Sequence, residues 1–352
     1  MDPVNPHIRT LKAYQPGFQP REGERVIKLN TNENPYPPSP RVLEAIREAS
    51  TGRLRLYPDP RSRELRQVAA ELYGVHPSQV LAGNGSDEIL GILLRTFASR
   101  GEAIGYYEPS YSYYSTLAHI HGLEVVPVPL DSDGGPPPLP PRQDIKLFFL
   151  TNPNSPLGFS VEPDFVLWLA RRLDGALVVD EAYADFARAN CMSLVRSVPN
   201  LIVTRSLSKS YSLAGLRIGL AFGPADWIEQ MDKVRDHYNL NRIAQAAAIA
   251  ALRDQTYFRQ TLERVLHTRR RLLEGLRRLG LRCPEPEGNF VFARFPSADS
   301  AASTYRRLFE RGILVRTFPH KSLEDGLRIS VGTDRETDLV LEAIQAALGA
   351  DP

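Results

Sequence analysis

The feature that most constrains this chain is a series of short apolar runs between residues 100 and 225. They fall at 146–150, 176–179, 201–203 and 218–221, separated by turns and helical stretches. Each is too short for a helix and carries almost no polar residue. Such runs read as strands buried on both faces, which means a parallel or mixed sheet with helices packed around it. The expected fold class is therefore α/β.

The flanks add organisation. The first 38 residues are rich in proline and polar residues and read as an arm laid over something else. Ser39 and Pro40 then supply an N-cap and a first helical position, with Val42, Leu43 and Ile46 on one face. Further helices are predicted over 62–73 and from Ser86, the latter carrying Ile89, Leu90, Leu93, Leu94 and Phe97. The proline-rich stretch 134–141 reads as a surface loop between strands. An Ala-rich helix is expected over 243–252. A longer one follows through Leu262, Val265, Leu266, Leu272, Leu273 and Leu276 to Gly280; its arginine-rich face, with Glu263 and Glu274 interspersed, reads as solvated. Beyond Cys283 the pattern turns to strands over 289–295, 313–318 and 327–331 plus two helices, a smaller α+β unit, with Thr333 and Glu336 as a capping box. The expected division is an arm over 1–39 joining the smaller domain, a large domain over 40–260 and a small one over 261–352.

At 352 residues the chain is longer than one core usually supports. A net charge of +2 predicts no sequence-blind attraction to nucleic acid or to an anionic membrane, and no apolar run is long enough to span a bilayer. Two cysteines make neither a disulfide framework nor a zinc set, and the first residues lack the layout of an export signal. The expected location is the cytoplasm.

Three segments could carry chemistry. Lys209 stands among small and hydroxylated residues after a predicted strand; burial would lower its proton affinity, as a Schiff-base amine requires, although a lysine in a loop is ordinarily solvated. Asp180 ends the run over 176–179, where open α/β sheets place ligands, and is either a helix cap or the partner of a positive group. The GNGSDE segment over 83–88 opens a helix whose free N–H groups suit phosphate. It fails as a dinucleotide fingerprint, because the third glycine and a clean preceding strand are missing. An imine lysine, an acid for a ring nitrogen, a phosphate site and a tyrosine pair at Tyr111 and Tyr113 together meet the needs of pyridoxal phosphate.

With those residues in hand, the sequence resembles the type I aminotransferases and, within them, the histidinol-phosphate aminotransferases. The resemblance runs from LKAYQPG (11–17) to LRISVGT (327–333). Between them lie NENPYPPSP (32–40), YPDP (57–60), GNGSDE (83–88), NPNSPLG (152–158), DEAY (180–183) and SLSKSYSLAGLRIG (206–219). It implies fold type I of the pyridoxal-phosphate-dependent transferases, a large domain with a mostly parallel sheet plus a smaller α+β domain. It implies pyridoxal 5'-phosphate held by Lys209, with Asp180 at the ring nitrogen, Tyr183 at the ring oxygen and Tyr111 stacked on the ring. Ser86, Asp87, Ser206, Ser208 and Arg217 would hold the phosphate, and Tyr57 would reach the cofactor of the neighbouring subunit in a homodimer. One departure stands out. The family's NPNNPTG is NPNSPLG here, so either Asn154 or Ser155 would bond the ring oxygen.

The resemblance further implies transamination between histidinol phosphate and 2-oxoglutarate, giving imidazole-acetol phosphate and glutamate in histidine biosynthesis. Arg328 matches the residue that binds the α-carboxylate of glutamate. Arg316 and Tyr14 are candidates for the substrate phosphate, Asn34 lies in a segment able to fold over the site, and Tyr238 is placed at the subunit interface among the substrate-binding residues. Aromatic amino-acid aminotransferases and threonine-phosphate decarboxylase share the motifs and are alternatives. From other classes, a non-catalytic pyridoxal-phosphate-binding protein and a nucleotide-binding module also remain.

Overall fold

The structure is a computed structural model that describes residues 3–130, 137–142 and 144–349. Its strands in chain order are β1 (Ile27–Lys28), β2 (Val80–Gly83), β3 (Ala103–Glu108), β4 (Glu124–Pro129), β5 (Ile145–Thr151), β6 (Ala176–Asp180), β7 (Leu201–Ser206), β8 (Gly219–Phe222), β9 (Phe290–Arg294), β10 (Ile313–Leu314) and β11 (Gly326–Ser330). Seven form one sheet in the order β2-β8-β7-β6-β5-β3-β4. The pairings from β7 through β4 are all parallel, and β8 alone runs antiparallel to its neighbours β2 and β7.

The apolar runs form strands because both faces of the sheet are covered. Leu177 and Val179 of β6 join Leu201 and Val203 of β7 in one buried core, while Ala176, Val178 and Ile202 face a second core on the other side. A two-residue side-chain period cannot show in the sequence when both faces are apolar.

Strand direction sets the site. Thr151 lies beside Asp180, and Asp180 beside Thr204, at the carboxyl ends of β5, β6 and β7. Ser206 faces Gly219, which in turn faces Gly83. One sheet edge therefore gathers the ends of β2, β3, β5, β6 and β7 and the start of β8.

A third core joins Leu29 and Tyr36 of the arm to Val265, Leu272, Leu276, Val291, Ile329 and Ile344. Here β9 and β11 pair antiparallel, and β1 of the arm pairs parallel with β10. The helix Gln255–Arg278 is continuous through residues 260 and 261; its Phe258 packs on the first core and its Val265 on this one.

Several expectations are corrected. The strand expected over 313–318 holds only Ile313 and Leu314, because the two-residue β1 is its partner; beyond it only Arg316 pairs, with Arg328. The GNGSDE segment does follow a strand, the four-residue β2, too short to stand out as a run. The arginine face of the long helix is not uniformly solvated. Arg269 donates to the carbonyls of Phe186 and Gly288 at 3.0 and 2.9 Å, and Arg271 bridges Asp334 and Asp338. The loop expected over 134–141 lies in part outside the described residues. The capping box is formed, with the Thr333 side chain accepting from the Glu336 amide.

Candidate active site

A cavity of about 650 Å³ opens on that sheet edge, between the sheet, the arm and the segment around Arg316. Thirteen residues singled out in the sequence line it: Tyr14, Ser86, Asp87, Tyr111, Ser155, Asp180, Tyr183, Ser206, Ser208, Lys209, Arg217, Arg316 and Arg328.

Lys209 follows β7 and donates from Nζ to the Thr31 carbonyl of the arm at 2.9 Å, 5.9 Å from the Tyr183 ring centre. Asp180 ends β6 and is 4% exposed. Burial raises its pKa, against hydrogen bonds from Tyr114 Oη (2.8 Å), the Ala182 amide (3.2 Å) and Thr204 Oγ1 (3.3 Å). Tyr183 behaves the other way. Burial pushes its hydroxyl up, but the Lys209 and Arg328 charges, with hydrogen bonds from Asn32 and Ser155, together hold it below the usual tyrosine range. The Asn32 Nδ2 bond to the hydroxyl is 3.0 Å.

The end of the cavity at the helix Ser86–Phe97 is built from backbone. The helix Ser86–Phe97 begins after Gly85, whose φ is 85°. A Cβ on Gly85 would lie 2.5 Å from the Arg217 guanidinium, and one on Gly219 would meet the Gly85 carbonyl carbon and the Ser86 nitrogen at 2.6 Å. Only glycine fits at either place. Arg217 reaches Asp87 at 2.9 Å and Ser208 Oγ at 3.4 Å, while Ser206 Oγ accepts from the Ser208 amide. Tyr111 donates to Asp87 at 3.0 Å; burial, then the Asp87 charge, raises its pKa and keeps it neutral.

The opposite wall carries two arginines. Arg328 is 8% exposed and donates to Ser155 Oγ at 3.0 Å and the Asn30 carbonyl at 2.9 Å. Its Nε has no hydrogen-bond partner, and no carboxylate pairs with it among the described residues. Burial, reinforced by Arg316, lowers its pKa. Arg316 donates to the Gln15 carbonyl at 2.9 Å. Tyr14 packs edge-on to Tyr111 and Tyr113, and burial raises its pKa.

Five singled-out residues do not line the cavity, Tyr113 of the tyrosine pair among them. Asn154 is turned away from the cavity, donating to the Pro109 carbonyl just after β3 and accepting from the Leu157 amide of its own loop, both at 3.1 Å; Ser155 faces the cavity instead. Asn34 lies behind the lysine and donates to the carbonyls of Lys209 and Ser210 at 3.1 and 3.2 Å. Tyr57 is 77% exposed and stacks on Tyr238 with ring centres 4.3 Å apart.

Two contributors escaped the sequence reading. Asn32, fully buried at φ 57°, links Tyr183 to Ser330 and accepts from Asn289 at its carbonyl. Asparagine is enriched in that left-handed region, which was the available signal. Tyr114, in the helix Tyr113–His121, is buried and donates to Asp180 at 2.8 Å.

The sequence profile of the aminotransferase class I and II family matches residues 24–344. The histidinol-phosphate aminotransferase of Syntrophotalea carbinolica is 51% identical over 344 residues, covering 98% of this chain and 99% of its own. That of Geotalea uraniireducens is 50% identical over 345 residues, covering 98% and 99%. The crystal structure of histidinol-phosphate aminotransferase from Sinorhizobium meliloti in complex with pyridoxal-5'-phosphate matches with a TM-score of 0.90 at 29% identity, covering 99% of this chain and 98% of its own. The sheet and its smaller α+β partner are the fold type I arrangement expected from the motifs. By profile, relatives and fold, the chain belongs to the class I and II aminotransferases.

Proposed function

We propose that this protein catalyses transamination between histidinol phosphate and 2-oxoglutarate with pyridoxal 5'-phosphate as cofactor. The residues fit that cofactor. The glycine-walled cradle at the helix N-terminus and Arg217 suit a phosphate, Asp180 stands ready for a ring nitrogen, and Lys209 faces the same cavity. When bound, the cofactor supplies an electron sink that makes the substrate Cα–H acidic. Asp180 would hold a proton on the ring nitrogen. Tyr183, with Ser155 beside it, would donate toward the ring oxygen. Lys209 Nζ, once freed by the incoming amine, would take the proton from the substrate Cα and deliver it across the bound pair.

The observation that carries the substrate reading is the Arg316–Arg328 pair. Two cations on one wall, one of them buried without a carboxylate, call for an anionic substrate group. A phosphate ester in one half-reaction and a carboxylate in the other meet that need in turn. The histidinol-phosphate aminotransferases at about half identity along the whole chain favour this reading over aromatic or decarboxylating relatives.

The reading includes a cytoplasmic homodimer. The exposed Tyr57–Tyr238 stack supports a subunit interface, and the free thiols of Cys191 and Cys283 suit a reducing compartment. The test is glutamate formation from 2-oxoglutarate with purified protein. Histidinol phosphate should be the preferred donor over phenylalanine or tyrosine by kcat/KM. Preference for the aromatic amino acids would move the activity to the aromatic aminotransferases, and carbon dioxide release from threonine phosphate would make it a decarboxylase.

A further inference from the structure

Four carboxylates line the cavity: Glu33, Asp87, Glu108 and Asp180. Three are committed. Glu33 accepts from Lys28 and Thr31, Asp87 from Arg217 and Tyr111, and Asp180 from Tyr114, Thr204 and the Ala182 amide. Glu108 is different. Among the described residues its one ion-pair contact is His320 Nε2 at 3.9 Å, beyond hydrogen-bond distance, and its side chain is 39% exposed. A carboxylate has room for about four hydrogen bonds. Glu108 accepts from the Tyr106 hydroxyl, which burial and then the Glu108 charge raise to about 12 and keep neutral, so one of those four places is filled and the rest are open among the described residues.

Its place in the fold matters as much. Glu108 ends β3, two strands from β6 in the sheet order, so roughly 10 Å from the strand that carries Asp180. The cations that suit a phosphate, Arg316 and Arg328, pair with each other outside the main sheet, whereas Glu108 ends one of its strands. The cavity thus offers anion-binding groups in one region and an acceptor with spare capacity in another. A donor with a phosphate at one end and an N–H-bearing ring at the other matches that polarity.

Resting on the histidinol phosphate reading above, we propose that Glu108 is a specificity-determining residue that accepts a hydrogen bond from the ring N–H of the donor's imidazole. An imidazole pairs with the carboxylate. A phenyl ring in the same position would strip water from it and return no hydrogen bond. Sites built to pair a polar group discriminate strongly against analogues that lack it.

The experiment compares histidinol phosphate with its isostere bearing phenyl in place of imidazole, for the holoenzyme and for Glu108→Gln and Glu108→Leu. The imidazole-to-phenyl ratio of kcat/KM should fall on the order of ten- to a hundredfold in Glu108→Leu and less in Glu108→Gln, which keeps an acceptor oxygen. The change should lie mainly in KM for histidinol phosphate. The visible band of the bound cofactor reports that each variant is folded and loaded. Equal losses for both donors, as a mere rim contact to His320 would give, overturn the proposal, as does an unchanged ratio. If the unmutated enzyme turns over histidinol phosphate while the ratio stays fixed, only the Glu108 assignment fails. If it does not turn over histidinol phosphate at all, the substrate reading fails with it.

Discussion

Arg316 and Arg328 exchange both backbone hydrogen bonds, at 3.0 and 2.9 Å, as directly opposed residues of an antiparallel bridge. Opposed residues present their side chains to the same face, and like charges so placed repel. The fold accepts this repulsion at the cavity wall, and a bound anion would relieve it.

Replacing Arg328 separates charge from fork geometry. Arg328→Lys keeps a cation but loses the paired donors that reach Ser155 and Asn30. The KM for glutamate and 2-oxoglutarate should rise roughly ten- to a hundredfold. Steady-state kinetics of the glutamate half-reaction checks this.

Asp180 predicts a trade between stability and turnover. Its folded pKa is raised by burial, so the native state holds this proton more tightly than the unfolded chain. The corresponding stability is fully present below the unfolded value, near 3.9, and is lost as pH rises through the raised folded value. Cofactor-free Asp180→Asn should therefore melt a few degrees higher than the parent at pH 7, with the gap closing toward pH 4. Its turnover should fall roughly a hundredfold or more. Calorimetry of the cofactor-free proteins across pH, with an activity assay, reads both.

The expectation that Tyr57 serves the neighbouring subunit is open to complementation. Inactive Lys209→Ala and impaired Tyr57→Ala chains, mixed through unfolding and refolding, should form hybrids with one site that has both residues intact. About a quarter of the wild-type sites should return at equal mixing. No recovery would place Tyr57 outside the partner's site.

Arg205 of β7 is buried between Glu181 (2.9 Å) and Asp185 (2.6 Å), and Asp185 in turn accepts from Ser210, the residue after the lysine. Burial raises Glu181 even against this arginine, so one cation serves two acids. Arg205→Met leaves both uncompensated and should cost about 3–5 kcal/mol in denaturant unfolding. A loss below 1 kcal/mol would show that the acids find other partners.

What the sequence revealed depended on whether chemistry lay in one segment. Ser206, Ser208, Lys209 and Arg217 sit within twelve residues at and just after the end of β7, so they are legible together. Asn32 and Tyr114 are not, because their roles exist only where the arm and a helix meet the ends of β5 and β6. The neighbourhood of Asn34 predicts a segment that folds over the site, yet the chain turns its amide onto the backbone carbonyls of Lys209 and Ser210. The sheet was legible because its runs are buried on both faces. The brevity of β10 was not, since strand length is set by the partner, and β1 has two residues.

The central claim is that Lys209 and its neighbours hold pyridoxal phosphate and pass an amino group from histidinol phosphate to 2-oxoglutarate. The most direct measurement is the visible spectrum of the purified protein as each substrate is added in turn. The account predicts a yellow protein whose band is lost with histidinol phosphate alone and restored by 2-oxoglutarate, with no such cycle in Lys209→Ala. A colourless protein that pyridoxal phosphate cannot reconstitute, or a band indifferent to histidinol phosphate, would contradict it.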